Sequence, residues 1–478
     1  MLAGYVVMLL APPSRGSARD AISTLTPRVL IPPAGCAARS PREENQLMDP
    51  VILSFLASPE GRARIVSVAG ALAAGASELA LVSQLRAAYD SAVAAEILAQ
   101  ARLQKKATAK LGPRSAGLIL LPDSLEQASR AEVADSRARR LLLAGVTSLT
   151  DAGAGMGADT LAYAAAGLHV RAVERDPSVA SVLRANVASA AAVTEDPTSA
   201  GLAGSTGSAG TVEVLEGDAM DLLPDSGVVY FDPARRADGR RIFDPELCSP
   251  PLSAIVAASE RGLTVVAKMS PSLKLGDVPA GWDADWVSTQ TEQGRSVVEA
   301  VLWSPPVGAG VRRAIVLDHD SSHILTSTDA PGVARTEAGP GVGDIGRFIY
   351  EPDGAVNQAE LTDALAAQLC ARLVEPRIAY LTGDAAVDTP FAHRYEVHDV
   401  LPWSKRGLAR ALSKYDASDL VIKKRGITVD PTALRKELLP RLRSRTGAPL
   451  VVILTPHRGK RLALFTHANE SPQRDPAQ

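Results

Sequence analysis

A chain of 478 residues is too long for one ordinary core, so two or three domains are expected. Its 46% hydrophobic and 22% charged residues describe a globular protein, and no apolar run approaches the roughly 20 residues that cross a bilayer. The net charge of -2 gives no bulk sign of a polyanionic partner, while Cys36, Cys248 and Cys370, isolated from one another, argue against a disulfide framework or thiolate metal site and suit a reducing cytosol.

The first 47 residues open on the apolar "YVVMLLAPP", which resembles a signal-peptide core without the preceding positive charge, and continue rich in Pro, Ser and Arg. They are expected to be a disordered leader, or an over-long start with Met48 as the initiator. From Val51 to Leu143 the period is helical: "ASELALVSQLRAAYDSAVAAEILAQARL" carries apolar residues three and four apart. "DSLEQASRAEVADSRARRLLLAG" has a capping-box pattern at Ser124-x-x-Gln127 and a helix stop at Gly145, with an arginine-rich face expected in solvent. Residues 48–138 are therefore read as an N-terminal helical region.

The period then changes. "VTSLTDAGAGMGADTLAYAAAGLHVRAVERDP" reads as strand, glycine turn, helix, stop at Gly167 and second strand, a βαβ unit. Asp151 ends the first strand, and Gly153, Gly155 and Gly157 lead into the helix, where glycines permit positive φ angles and close approach of a ligand. The turn also matches GxGxxA through Gly153, Gly155 and Ala158, so by itself it leaves both NAD and S-adenosylmethionine open. Glu174 closes the second strand, where an acid can take both hydroxyls of a ribose. After a helix and the low-complexity "TEDPTSAGLAGSTGSAG", a third strand, "TVEVLEGDAM", ends at Asp218, an acceptor for an exocyclic adenine amine. A fourth, "GVVYFDPARRADGR", ends at Asp232-Pro233 and meets Arg235 and Arg236. Acids at successive strand ends line the crevice where open α/β sheets bind ligands, and the acid before the glycines suits a cationic amino acid better than a pyrophosphate.

"TDAGAGMGADT", "AVERDP", "EGDAM" and "FDPAR" together resemble motifs I to IV of the class I S-adenosylmethionine-dependent methyltransferases, a likeness covering about residues 120–305. It implies an α/β fold with a Rossmann-like, seven-stranded sheet over 139–330, "GLTVVAKMSP" being the fifth strand and "ADWVSTQTEQGRSVVEAVLWS" the antiparallel sixth–seventh hairpin. It also implies that Asp151, Gly153 and Gly155 hold the amino-acid end of the cofactor, Glu174 its ribose and Asp218 its adenine. In the amino-methylating relatives a D/N/S-P-P-aromatic motif grips the amine; here Asp232, Pro233 and Arg235 stand in that place, without the second proline and the aromatic. "DPAR" also resembles the D-P-P-R of RNA uracil-C5 methyltransferases, but the cysteine these need after the next strand is replaced by "AKMSP", so C5 chemistry is not expected.

Residues 331–390 read as a linker and a long amphipathic helix after a Pro-Asp-Gly turn, residues 391–470 as a small α+β domain, and 471–478 as a tail. Between 401 and 445 there are twelve Lys or Arg against four Asp or Glu, the footprint of a polyanion partner. "IYEPDGA", "LVIKKRG" and "VDPTALRK" resemble the THUMP-like domain of a group of bacterial, largely actinobacterial, methyltransferases, which implies tRNA or rRNA. "DLVIKKRGITV" reads as two strands joined by a turn, from whose tip Lys423, Lys424 and Arg425 would project to RNA, helped by Lys405 and Arg406. The expectation is a cytoplasmic S-adenosylmethionine-dependent enzyme methylating a base nitrogen of RNA, with no membrane or metal partner. The alternatives are a small-molecule or protein methyltransferase and a non-catalytic RNA-binding protein.

Overall fold

The structure, a computed structural model, describes residues 48–194, 209–234, 236–237, 240–292, 294–318, 321–329, 343–443 and 447–468. The expected leader, the low-complexity insert at 195–208 and the tail lie outside the described residues. The chain divides at Leu223/Pro224 into two units.

In the first unit, α1 (Pro50–Ala57), α2 (Pro59–Ala73), α3 (Glu78–Ala88), α4 (Ser91–Leu111), α5 (Pro122–Gln127) and α6 (Ala131–Leu143) form the expected helical region. Asp49 and Ser58 cap α1 and α2 by accepting from Val51 N and Gly61 N. Ser124 lies inside α5 and caps nothing, and the chain breaks between α5 and α6 instead of forming one long helix. Gly145, at φ 77°, does end the second piece. Nor is the arginine-rich face wholly solvated: Arg137 is buried, pairs with Asp159 at 2.6 Å and donates to the Tyr163 hydroxyl. A buried guanidinium persists only with partners of this kind.

Three parallel strands follow, β1 (Ser148–Ala152), β2 (His169–Glu174) and β3 (Val212–Glu216), joined through α7 (Ala158–Ala165) and α8 (Pro177–Thr194). The helical region shares one core with this layer, Leu56, Ile97 and Leu125 clustering with Met156, Leu161 and Val182. Between α4 and α5 the extended Leu118–Leu120 has buried backbone that side-chain amides satisfy. Asn186 accepts from Ile119 N at 2.7 Å and donates back to Ile119 O and on to Met156 O, and Gln100 exchanges bonds with Leu120 in the same way.

The second unit contains β4 (Val228–Phe231), α9 (Leu252–Glu260), β5 (Thr264–Met269), β6 (Asp283–Thr291), β7 (Gly294–Trp303), β8 (Arg312–Asp318) and β9 (Ser321–Thr326). Its strands run β9-β8-β6-β7-β5-β4; β4 and β5 are parallel, and the β6–β7 hairpin is antiparallel with β7 against β5, as expected. Beyond the expected hairpin, β8 pairs parallel with β6 and β9 antiparallel with β8. A buried polar clamp holds this extension: Asp283 accepts from Ala309 N and Val311 N at 2.7 Å each and from Arg313 at 2.5 Å, while Asp285 takes Trp303 Nε1 at 2.8 Å.

Residues 331–390 are more than a linker and a helix. Their described part contributes β10 (Phe348–Pro352), β11 (Arg372–Glu375) and β12 (Ile378–Gly383) to a second sheet, and the expected long helix is two short ones, α10 (Gly354–Gln358) and α11 (Thr362–Leu369). Glu360 adopts φ 51° between them, a reversal that keeps both Ala359 and Leu361 buried. Then come β13 (Ala392–Pro402), α12 (Lys405–Leu412), β14 (Leu420–Lys424), α13 (Pro431–Leu438), β15 (Leu450–His457) and β16 (Lys460–Ala468), giving the order β11-β12-β10-β13-β16-β15-β14. The sheet curls into a roll. Glu351 on β10 and Lys423 on β14 stand four strands apart, about 19 Å in a flat sheet, yet meet at 2.5 Å. His457 Nδ1 at the end of β15 likewise reaches Val374 O on β11 at 2.8 Å. Ile349, Tyr380, Val451 and Leu464 fill the inside of the roll, while α12 and α13 cover the other face, their Leu408, Leu412 and Leu434 clustering with Phe465 of β16.

Candidate functional site

In the first unit, the predicted acids gather at the carboxyl edge of β1, β2 and β3. Val173 O accepts from both Gly153 N and Ala154 N at 3.0 Å, which folds the glycine turn back over β2. Gly153, Gly155 and Gly157 have φ 102°, 56° and 93°, values that side chains rarely adopt. At Gly157 a Cβ would also lie 2.5 Å from Leu183 Cδ1 of α8, so that leucine would have to move to admit a side chain. Asp151, only 1% exposed, accepts from Thr160 Oγ1 and so ties the end of β1 to the first turn of α7, placing a carboxylate beneath the turn.

Glu174 is held by backbone amides on both carboxylate oxygens. Its Oε2 accepts from Gly155 N at 2.9 Å and its Oε1 from Asp176 N at 2.8 Å, so each oxygen is fixed by one amide and keeps a lone pair for another donor. That is the arrangement a vicinal diol requires. Asp218 follows at the end of β3, where Gly217 N donates to Glu174 O at 3.0 Å; its Oδ1 accepts from Met220 N at 2.9 Å, and Arg175 lies 3.8 Å from Oδ2. Asp151, Gly153, Gly155, Glu174 and Asp218 are thus brought together, and their chemistry fits a cofactor with a cationic amino-acid end, a ribose and an adenine. Glu174→Ala is expected to weaken S-adenosylhomocysteine binding at least about tenfold, since it removes a charged acceptor and the anchor of the turn. Isothermal titration checks this, and unchanged affinity would remove Glu174 from the site.

In the second unit, the register pairs Phe231 with Ala267, so the next residues, Asp232 and Lys268, stand side by side. Lys268 Nζ donates to Asp232 Oδ2 at 2.8 Å; the lysine side chain is 2% exposed and the aspartate 22%. A shallow cleft opens beside the pair, lined by Pro233, Phe243, Cys248, Lys268, Met269 and Leu273. The loop carrying Phe243 is closed by Ala234 N donating to Ser249 O at 2.9 Å and Ser249 N to Ala234 O at 3.2 Å, and Phe243 stands 66% exposed. Arg235 lies outside the described residues. Lys268 is not among the site residues expected from the sequence, where "AKMSP" stands out for lacking a cysteine. The signal was present: a lysine inside the apolar strand "TVVAKM" must find a buried partner, and the neighbouring strand ends on an acid.

The five cations expected to bind nucleic acid are not brought together. Lys423 and Lys424 are adjacent in β14 and so point to opposite faces. Lys423 turns into the roll, bonds Glu351 and lies 5.5 Å from the Tyr395 ring centre. Tyr395 donates to the same carboxylate at 3.0 Å, and burial, then Glu351, pushes its phenol up so that it stays a donor. The Arg425 guanidinium lies over the Tyr380 ring at 5.2 Å. Ile427–Val429 forms no strand, so there is no hairpin tip. Lys405 pairs with Glu437 at 2.5 Å, whereas Arg406 and Lys424 are exposed.

Among the described residues no group of three or more His, Cys, Asp or Glu could hold a metal ion, and no helix is long and apolar enough to cross a membrane. Residues 392–468 match the family described as THUMP domain-like. Over 363 residues the chain is 31% identical to proteins described as uncharacterised S-adenosylmethionine-dependent methyltransferases in Mycobacterium tuberculosis strains CDC 1551 and H37Rv, the alignment covering 74% of this chain and 90% of each relative. The fold resembles the crystal structure of a candidate methyltransferase from Porphyromonas gingivalis W83, with a TM-score of 0.64 and 21% identity over 89% of this chain and 100% of that one.

Proposed function

The chain belongs to the S-adenosylmethionine-dependent methyltransferases, and from that premise we propose that it methylates a base nitrogen of tRNA or rRNA in the cytoplasm. The cofactor supplies a methyl group on a sulfonium, and Asp151, Gly153, Gly155, Glu174 and Asp218 hold it. Asp232, Pro233 and Arg235 act on the acceptor, with Lys268 as a further member of the set.

The observation that carries the acceptor chemistry is the Asp232–Lys268 pair beside an apolar cleft with an aromatic rim. Lys268 fixes one carboxylate oxygen, and Asp232 Oδ1 then accepts a hydrogen bond from an amino group and sets the direction of its lone pair. The proton displaced from the nitrogen would leave to water. Phe243 offers a face on which a planar base can stack. The match to THUMP domain-like proteins and the local excess of cations over 401–445 support RNA as the carrier of that base. Mass spectrometry of RNA nucleosides from a deletion strain is expected to show one methylated nucleoside missing and restored by the intact gene. An unaltered nucleoside profile would transfer the proposal to a protein or small-molecule acceptor.

A further inference from the structure

Ion pairs, half-buried at Lys423 and on the surface at Lys405 and Arg435, and ring contacts engage several cations of the C-terminal unit. Lys423 is bound to Glu351, Lys405 to Glu437, Arg435 to Asp419 at 2.6 Å, and Arg425 to the Tyr380 ring. Arg406, Arg410, Lys414, Arg441 and Arg443 are exposed and make no ion pair among the described residues.

These five are also neighbours. Arg406, Arg410 and Lys414 are spaced four apart and form one stripe along α12 and the turn after it. The buried residues of that helix, Leu408, Ala411 and Leu412, lie on its opposite side. Arg443 N donates to Tyr415 O at 3.0 Å, which sets Arg443 beside the end of the stripe, and Arg441 belongs to the short turn of 3-10 helix packed against α12. The acids near this face are Asp416, Asp399 beside Tyr415, and Glu437, which Lys405 already neutralises, so the five cations outnumber them.

We propose that Arg406, Arg410, Lys414, Arg441 and Arg443 form the face that grips the phosphate backbone of the RNA, in place of the Lys423–Arg425 segment. This rests on the RNA reading above. Exposed arginines without acidic partners can exchange counterions for phosphates, whereas Lys423 would first have to abandon Glu351. Such a face holds and orients a folded RNA without reading its bases.

The test uses the full-length protein, because β10, β11 and β12 complete the roll and lie outside residues 392–468. Binding of total tRNA and of rRNA fragments is measured by fluorescence anisotropy from 50 to 200 mM salt. The Arg406→Ala/Arg410→Ala/Lys414→Ala variant is expected to bind more weakly and to flatten the log–log salt slope by about 2 to 2.7, at 0.7 to 0.9 per lost contact. Arg441→Ala/Arg443→Ala is expected to flatten it by about 1.4 to 1.8, which keeps the test alive if the triple variant misfolds. Lys423→Ala/Arg425→Ala should leave the slope unchanged, and S-adenosylhomocysteine affinity should not move in any folded variant. Salt-sensitive binding by the wild type with unchanged slopes in both arginine variants overturns this face and leaves the RNA reading standing. Equal affinity for polyglutamate would mark a general anion surface and overturn it too. Absence of salt-sensitive RNA binding by the wild type defeats the RNA reading itself.

Discussion

Asp232→Ala is expected to lower methyl transfer by about 10²-fold or more while S-adenosylhomocysteine affinity stays within about twofold. The carboxylate is the partner of a lysine that is 2% exposed, held at 2.8 Å, and that lysine lines the shallow cleft. In the proposed role Asp232 directs the acceptor's lone pair, an effect felt in the transition state more than in cofactor binding. The change also strands a buried ammonium, which costs about 3–5 kcal/mol when a partner is deleted, so activity must be read beside the melting curve. Lys268→Met is the companion variant, because the half-buried Asp232 it leaves behind reaches solvent at lower cost. If Lys268→Met keeps the fold but transfer still falls, the pair acts in orientation. A parallel loss of cofactor affinity and transfer in Asp232→Ala would instead make Asp232 a cofactor or structural residue.

Asp283→Ala is expected to destabilise the second unit by about 3–5 kcal/mol, since Asp283 is fully buried and its loss leaves two amides without their acceptor and Arg313 with Asp285 alone. Burial alone would raise the Asp283 carboxyl, but the Ala309 and Val311 amides and Arg313 outweigh it and hold it below its ordinary value of 3.8. A depressed carboxylate stabilises the fold above its unfolded pKa, and that contribution is lost as pH falls through the folded value. The stability gap between wild type and variant should therefore be constant near neutrality and narrow below about pH 4. Urea titrations at pH 7 and pH 3 measure both quantities. A neutral-pH loss under about 1 kcal/mol would show that the strands after the hairpin are held by apolar contacts instead.

The chain's cofactor half was legible because its signals are local. Strand period, helix period and three glycines at positive φ place Asp151, Glu174 and Asp218 at the ends of parallel strands wherever the units sit. The β6–β7 hairpin was legible for the same reason. Local rules failed where two patterns compete. A helical period through 354–369 hides the reversal at Glu360, because burial of Ala359 and Leu361 overrides it.

By itself the sequence determined the βαβ order of residues 148–216, the antiparallel hairpin, the glycine turn, the acids at the strand ends and the local excess of positive charge. Only the tertiary structure decided which charges meet. The β4–β5 register sets Lys268 beside Asp232, and the curl of the second sheet carries Lys423 to Glu351 from four strands away. Strand alternation sends Lys424 to the other face, and the burial of one side of α12 leaves Arg406, Arg410 and Lys414 outward. Ion pairing depends on distances of a few ångströms between residues remote in the chain, and no spacing along the sequence encodes them.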